Sequence, residues 1–228
     1  MPSNEGMPVR HIAFIMDGNG RWAKKRHMPR EYGHKKGAEK FREIVGYCRN
    51  IGIETVTVYA FSTENWKRPK KEVDALIGLF HDYLTDSTDE KDKVRVYFLG
   101  DKNAFGEKIA EEMRNLEEKT ANYSKNLCIA MNYGGRAEIV DAVNSLMASG
   151  KTCITEDDIT SAVCSGVVPP PDMIVRTGGE FRLSNFLLWQ SSYSELFFTD
   201  TLWPDLKTNE VDKMIDEFRK RKRRFGGI

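Results

Sequence analysis

The 228-residue chain predicts an α/β domain, a mostly parallel central sheet flanked by helices. Three observations carry this. Short apolar runs such as IAFIM and TVTVYAF read as buried strands. Longer segments between them repeat apolar residues at helical spacing. The two patterns alternate along the chain, the order of βαβ units with right-handed crossovers and a sheet covered on both faces.

Each element follows from its own residues. His11 to Met16 is a strand stopped by Asp-Gly. A long basic loop with Pro29 and Gly33 comes next. Ala38, Phe41, Ile44, Val45 and Cys48 then mark a helix, and Gly52 ends it. Thr55 to Phe61 is the second strand. Val73, Leu76, Ile77, Phe80 and Leu84 form one helical face. Val94 to Leu99 and Leu127 to Met131 are strands around a charged helix, Phe105 to Ala121. Ala137 to Met147 is helical, and Thr155-x-x-Asp158 resembles a capping box. Met173 to Val175 and Glu195 to Phe198 are short strands, and a basic helix starts near Asn209. With no internal repeat and no low-complexity linker, residues 1–228 read as one domain. Residues 1–8 are expected to be flexible, and a basic tail begins near Arg219.

Composition narrows the class. Apolar residues make up 40% and charged residues 30%, the balance of a soluble globular protein. The net charge of +1 gives no global field for nucleic acid, although Arg21 to Lys36 and Arg219 to Arg224 are locally basic. Cys48, Cys128, Cys153 and Cys164 form no C-x-x-C pair, so they read as reduced core thiols of a cytosolic protein. The start, MPSNEGMPVR, lacks a signal-peptide core, and no apolar run approaches membrane-spanning length.

In open parallel sheets ligands sit beyond the carboxyl ends of strands. The residues predicted there are Asp17-Gly-Asn-Gly-Arg21, Ser62-Thr-Glu-Asn-Trp66 with Arg68, Asn132-Tyr-Gly-Gly-Arg136, and Arg176-Thr-Gly-Gly-Glu180 with Arg182. Glu195 is an exception, at the start of its strand. Glycines let backbone N–H groups approach a ligand, and arginine forks match phosphate oxygens two at a time. Two acids able to share a cation, Asp17 and Glu195, complete a diphosphate and magnesium site, because Mg²⁺ takes few protein oxygens. Neither a P-loop nor a G-x-G-x-x-G after the first strand is present. DGNG alone fits a tight turn as well as a site; the features together fit a site better, because they gather at one end of the sheet.

These residues resemble the cis-prenyltransferases, specifically the bacterial undecaprenyl diphosphate synthases. The resemblance rests on HIAFIMDGNGRWA, GHKKGAE, VYAFSTENWKRPKKEV, MNYGGR and IVRTGGEFRLSNFLLWQSSYSELFFTDTLWPD, and spans about Met7 to the C-terminus. It implies repeated condensation of isopentenyl diphosphate onto an allylic primer, usually farnesyl diphosphate. Asp17 then holds Mg²⁺. Gly18, Asn19, Gly20, Arg21 and Trp22 cradle the allylic diphosphate, with Arg30 and His34 beside it. Ser62, Thr63 and Glu64 shape the pocket, and Trp66 and Arg68 position substrate. Asn65 is the family's proton acceptor; since a neutral amide barely accepts a proton, it is better suited to orient the diphosphate or a water. Arg176, Arg182, Leu183 and Ser184 match the isopentenyl diphosphate site, and Glu195 matches a second metal-linked acid. Some relatives carry a His where this chain has Phe181, so no metal role falls there.

The resemblance further implies a hydrophobic product tunnel, with Ala60, Phe61, Leu76, Leu79, Phe80, Leu127 and Ile129 as candidates for its wall. It implies a homodimer, a cytoplasmic protein in weak peripheral contact with the membrane, and an Arg224-Phe225-Gly226 tail that crosses the dimer interface. The alternatives are a synthase of shorter or longer chains, a non-catalytic partner subunit, and a basic RNA- or phosphoprotein-binding module.

Overall fold

The computed structural model describes residues 8–86 and 93–221. Six strands form one sheet: β1 (His11–Ile15), β2 (Thr55–Ser62), β3 (Arg95–Leu99), β4 (Asn126–Tyr133), β5 (Met173–Arg176) and β6 (Glu195–Phe198). Their order is β3-β4-β2-β1-β5-β6, and every neighbouring pair is parallel. Among the described residues seven α-helices accompany them: α1 (Asn19–Lys25), α2 (Arg30–Asn50), α3 (Lys70–Asp86), α4 (Glu107–Thr120), α5 (Gly135–Ala148), α6 (Glu156–Ala162) and α7 (Thr208–Lys220).

The sheet separates two cores, and the period of two along a strand assigns its residues between them. Ile12 and Phe14 of β1 join Val56, Val58, Leu127, Ile129 and Met131 under helices α2, α3, α4 and α7. Ala13 and Ile15 face the other way, with Cys128, Ala130, Tyr133, Phe186 and Leu187. The buried thiols of Cys48 and Cys128 are both pushed up to about 12 by burial, so they are packing groups at neutral pH, whereas Cys153, expected in the core with them, is exposed.

The basic segment after β1 departs from the sequence reading. It is no loop: α1 covers Asn19–Lys25, and α2 begins at Arg30, directly after Pro29. Packing explains this, because Trp22 and Ala23 bury against Leu202. Two glycines on α2 allow the helices to meet. A Cβ on Gly33 would lie 2.1 Å from the Asn19 carbonyl oxygen, and one on Gly37 would lie 2.3 Å from Asn19 Oδ1. The segment after β2 is a 3-10 helix, Thr63–Lys67. The Arg224–Gly226 tail motif lies outside the described residues.

Candidate active site

Asp17 follows β1 at its carboxyl end, where β5 delivers Arg176 alongside. Arg176 Nη2 lies 3.0 Å from Asp17 Oδ2, and Arg21 Nη2 lies 3.1 Å from Oδ1. Arg176 is 5% exposed; its Nη1 also donates to the Arg182 carbonyl (2.5 Å) and to Ser184 Oγ (2.8 Å). Its Nε is buried with no hydrogen-bond partner among the described residues. Gly178 permits this arrangement. Its φ is +86°, and a side chain there would collide with Arg21 Nη2 at 2.5 Å.

Gly18 caps α1 with φ +107°, and the first N–H groups of a helix have no acceptor within it. Asn19 reaches back to the Met16 carbonyl through Nδ2 at 3.3 Å, and its Oδ1 is buried without a hydrogen-bond partner among the described residues. Gly20 lies against the Arg30 guanidinium. Trp22 turns away from the mouth: its indole N–H donates to Asp205 at 2.7 Å, beneath the Arg26 guanidinium.

Behind this row, Arg30, His34 and Arg68 converge on Glu72. Arg68 Nη1 stands 2.7 Å from Oε1, His34 Nε2 3.1 Å from Oε1, and Arg30 Nε 3.2 Å from Oε2. Burial pushes the Glu72 carboxyl up, but the His34 hydrogen bond and the Arg68 and Arg30 charges outweigh it and hold the group below its ordinary value. Burial lowers His34 as well, against the upward pull of Glu72. The pair is therefore a carboxylate and a neutral imidazole at neutral pH.

The loop after β2 forms the opposite wall. Ser62 and Asn65 make a capping box, in which Asn65 Oδ1 accepts from the Ser62 N–H at 3.1 Å. This occupies the carbonyl and leaves the amide N–H₂ as the outward group. Glu64 Oε1 accepts from Asn185 Nδ2 at 3.0 Å. The Thr63 hydroxyl would meet a Cβ on Gly134 at 2.9 Å, so Thr63 packs beneath the start of α5. Trp66 donates to Asn132 Oδ1 at 2.8 Å and packs on Phe61 and Phe105. Arg182 is exposed and pairs with Glu180, and Leu183 packs into the second core.

A cavity of about 650 Å³ opens from this end of the sheet. Its polar lining includes Asp17, Asn19, His34, Ser62, Glu64, Asn65, Arg68, Arg176 and Ser184. Its apolar lining includes Phe41, Val58, Ala60, Phe61, Leu76, Leu79, Phe80, Ile129 and Met131. Leu127, expected in this wall, is not part of it. It is buried one residue pair further toward the amino end of β4.

Glu195 is placed elsewhere too. It opens β6 level with Met173, which is level with Ile12. Asp17 lies five positions further along, roughly 16 Å at about 3.3 Å per residue. Glu195 instead engages Arg221 at 2.9 Å. The expectation that Glu195 and Asp17 share an ion therefore does not hold within a single chain. Sequence reasoning also overlooked Glu72 and Asn185; Glu72 had left a signal in its i,i+4 spacing from Arg68.

One carboxylate held between arginines, further arginines behind it and an apolar chamber below define an enzyme for substrates with a diphosphate head and a hydrocarbon tail. Comparison with known proteins agrees. The family model described as "Putative undecaprenyl diphosphate synthase" matches residues 15–226. An isoprenyl transferase of Fusobacterium nucleatum is 51% identical over 222 residues, spanning 96% of each chain. The lavandulyl diphosphate synthase of Lavandula x intermedia, solved with dimethylallyl diphosphate, superposes with a TM-score of 0.89 at 29% identity, over 96% of this chain and 98% of that one. A "probable undecaprenyl diphosphate synthase" from Campylobacter jejuni gives 0.81 at 33% identity, over 96% and 99%. The chain belongs to the undecaprenyl diphosphate synthase family of prenyltransferases, and its activity is cis-prenyl chain elongation.

Proposed function

We propose that the chain condenses isopentenyl diphosphate repeatedly with farnesyl diphosphate and releases a polyprenyl diphosphate of undecaprenyl length. The observation that carries this reading is the continuity of the arginine-lined mouth with the apolar cavity. In this reading the allylic diphosphate lies over α1, against Gly18, Asn19, Gly20 and Arg21, with Arg30, His34 and Arg68 behind it. Its hydrocarbon enters the cavity. Isopentenyl diphosphate takes the side of Arg176, Arg182 and Ser184.

The residues at the mouth fit one Mg²⁺ in the manner of sites that use a single carboxylate plus substrate phosphates. Asp17, between Arg176 and Arg21, is partly exposed at the mouth. Among the described residues no cluster of three His, Cys, Asp or Glu side chains forms a closed metal cage. When bound there, the ion neutralises charge on the departing diphosphate. The arginines act on the same charge, fixed in place before the bond breaks. The apolar wall keeps water from the allylic cation, so the incoming double bond captures it. With its carbonyl engaged in the capping box, Asn65 acts as a donor that orients a diphosphate, and the proton shed by the isopentenyl unit passes to an oxygen of the released diphosphate.

A homodimer fits the edge strand β6, beside which Tyr193, two residues before it, is 65% exposed and Phe181, packed against Phe198, is 75% exposed. Among the described residues no helix is long and apolar enough to cross a membrane. Cytoplasmic residence, with the basic end of α7 near the membrane surface, is the reading that suits a lipid product. The test is incubation with Mg²⁺, farnesyl diphosphate and labelled isopentenyl diphosphate, followed by chromatography. Long cis-prenyl products are expected, and both chelation and Asp17→Ala should abolish them. Turnover in the Asp17→Ala variant would remove Asp17 from its role.

A further inference from the structure

Glu72 stands in the first turn of α3 and is 6% exposed. Its partners come from three places: Arg30 from the first turn of α2, His34 one turn on, and Arg68 from the segment before α3. Four contacts at 2.7–3.3 Å join them to one carboxylate. Gly20 closes the far side, since a Cβ there would lie 3.0 Å from Arg30 Cζ.

An acid in this position has two possible roles, and they predict opposite signs. A counter-ion competes with an incoming anion, so its removal tightens anion binding. A brace holds the donors in register, so its removal weakens binding. Exposure decides between them. The Arg30 and Arg68 side chains are 62% and 35% exposed, whereas that of Glu72 is 7% exposed. Both guanidiniums keep open flanks for an anion, whereas Glu72 is covered, and Arg68 lines the cavity itself. Each fork carries five N–H groups, of which Glu72 takes one or two. A buried carboxylate also cannot give up its cations without leaving an uncompensated charge.

We propose that Glu72 is a positioning residue for the primer's diphosphate, held by the His34 N–H and locking Arg30 and Arg68 so that the outer N–H groups of the two guanidiniums converge on it. This rests on the substrate assignment above. Calorimetric binding of inorganic diphosphate, with steady-state kinetics, separates the roles in the wild type and in Glu72→Gln, Glu72→Ala and Glu72→Asp. The brace predicts that Gln and Ala weaken diphosphate binding roughly tenfold or more, the factor for losing about one charge-assisted contact. KM for the allylic substrate should rise in parallel, while KM for isopentenyl diphosphate changes less than about threefold. Asp keeps the charge at a shorter reach and should fall between wild type and Gln. Unchanged or tighter diphosphate binding in a folded Gln variant overturns the proposal. Should Gln and Ala fail to fold, wild-type affinity in Asp does the same. A wild type that binds diphosphate but forms no prenyl product refutes the substrate assignment and leaves the brace testable by binding alone.

Discussion

Arg176 Nη2 and Asp17 Oδ2 face each other at 3.0 Å across neighbouring parallel strands, and the same guanidinium holds the carbonyl of Arg182 and the hydroxyl of Ser184. One planar group thus ties the acid at the mouth to the 182–184 segment. Lysine cannot reproduce this, because an ammonium is a point charge without a fork. Arg176→Lys should retain the fold and lower kcat/KM roughly a hundredfold, about 2.7 kcal/mol of barrier. Steady-state kinetics beside a melting curve checks it. Near-wild-type kinetics would mean that Arg176 supplies only charge.

The contact of α1 with α2 makes a prediction about three glycines on one helix. Gly33 and Gly37 touch Asn19, whereas Gly46 has nothing within 4 Å of its would-be Cβ. Gly37→Ala should destabilise by about 1–3 kcal/mol, as overpacking does, and lower activity by displacing Asn19. Gly46→Ala removes a helix-interior glycine without a clash and should stabilise by about 0.5–1 kcal/mol. Urea denaturation of both variants tests the pair. Equal effects would contradict this account of the interface.

Those glycines also show where the sequence was legible. The sheet could be read because its strands are short β-branched runs, and β1, β2 and β4 lie within a residue or two of their expected places. Helix α1 and the start of α2 were hidden, because Gly18, Gly20, Gly33 and Gly37 mimic a loop when they actually serve close approach. The strand-end residues around Asp17 and Arg176 were legible from the rule for parallel sheets. Glu72 showed only in its i,i+4 spacing from Arg68, since its other partners, Arg30 and His34, come from a separate helix. The level of Glu195 in the sheet was not legible, because register follows from pairing partners that sequence alone does not supply.

Buried His11 predicts a loss of stability in acid. It is 3% exposed, with Nδ1 2.6 Å from the Pro169 carbonyl and Nε2 2.7 Å from Thr57 Oγ1. Burial lowers its pKa from 6.5 to about 4, against upward pulls from the Pro169 carbonyl and the Asp172 charge. Between those values the unfolded chain binds a proton that the folded chain does not. The contribution is therefore intact above about pH 6.5 and is lost as pH falls toward 4, on the order of 3 kcal/mol. His34, also lowered by burial, acts in the same direction. Urea unfolding at pH 7.5 and 4.5 should show the loss, and His11→Gln should flatten it by about that amount. An identical pH dependence in the variant would remove His11 as the source.

The cavity boundary makes the last prediction, because β4 crosses it. Residues 127, 129 and 131 share one face of the strand, yet only Ile129 and Met131 line the cavity. Leu127 lies one residue pair beyond, about 6.6 Å along the strand, inside packed core. Leu127→Ala should cost about 2–5 kcal/mol as a core truncation and leave product length unchanged. Ile129→Phe adds bulk inside the chamber and should shift products toward fewer five-carbon units. Each such unit gains about 4 kcal/mol on burial, so a chamber that excludes one makes further growth unfavourable. Reversed-phase chromatography of the products reads both variants directly. Longer products from Leu127→Ala would move the floor of the cavity one residue pair deeper. Wild-type products from Ile129→Phe would mean that the growing chain does not use this space, because a ring at that position cannot share it with a prenyl tail.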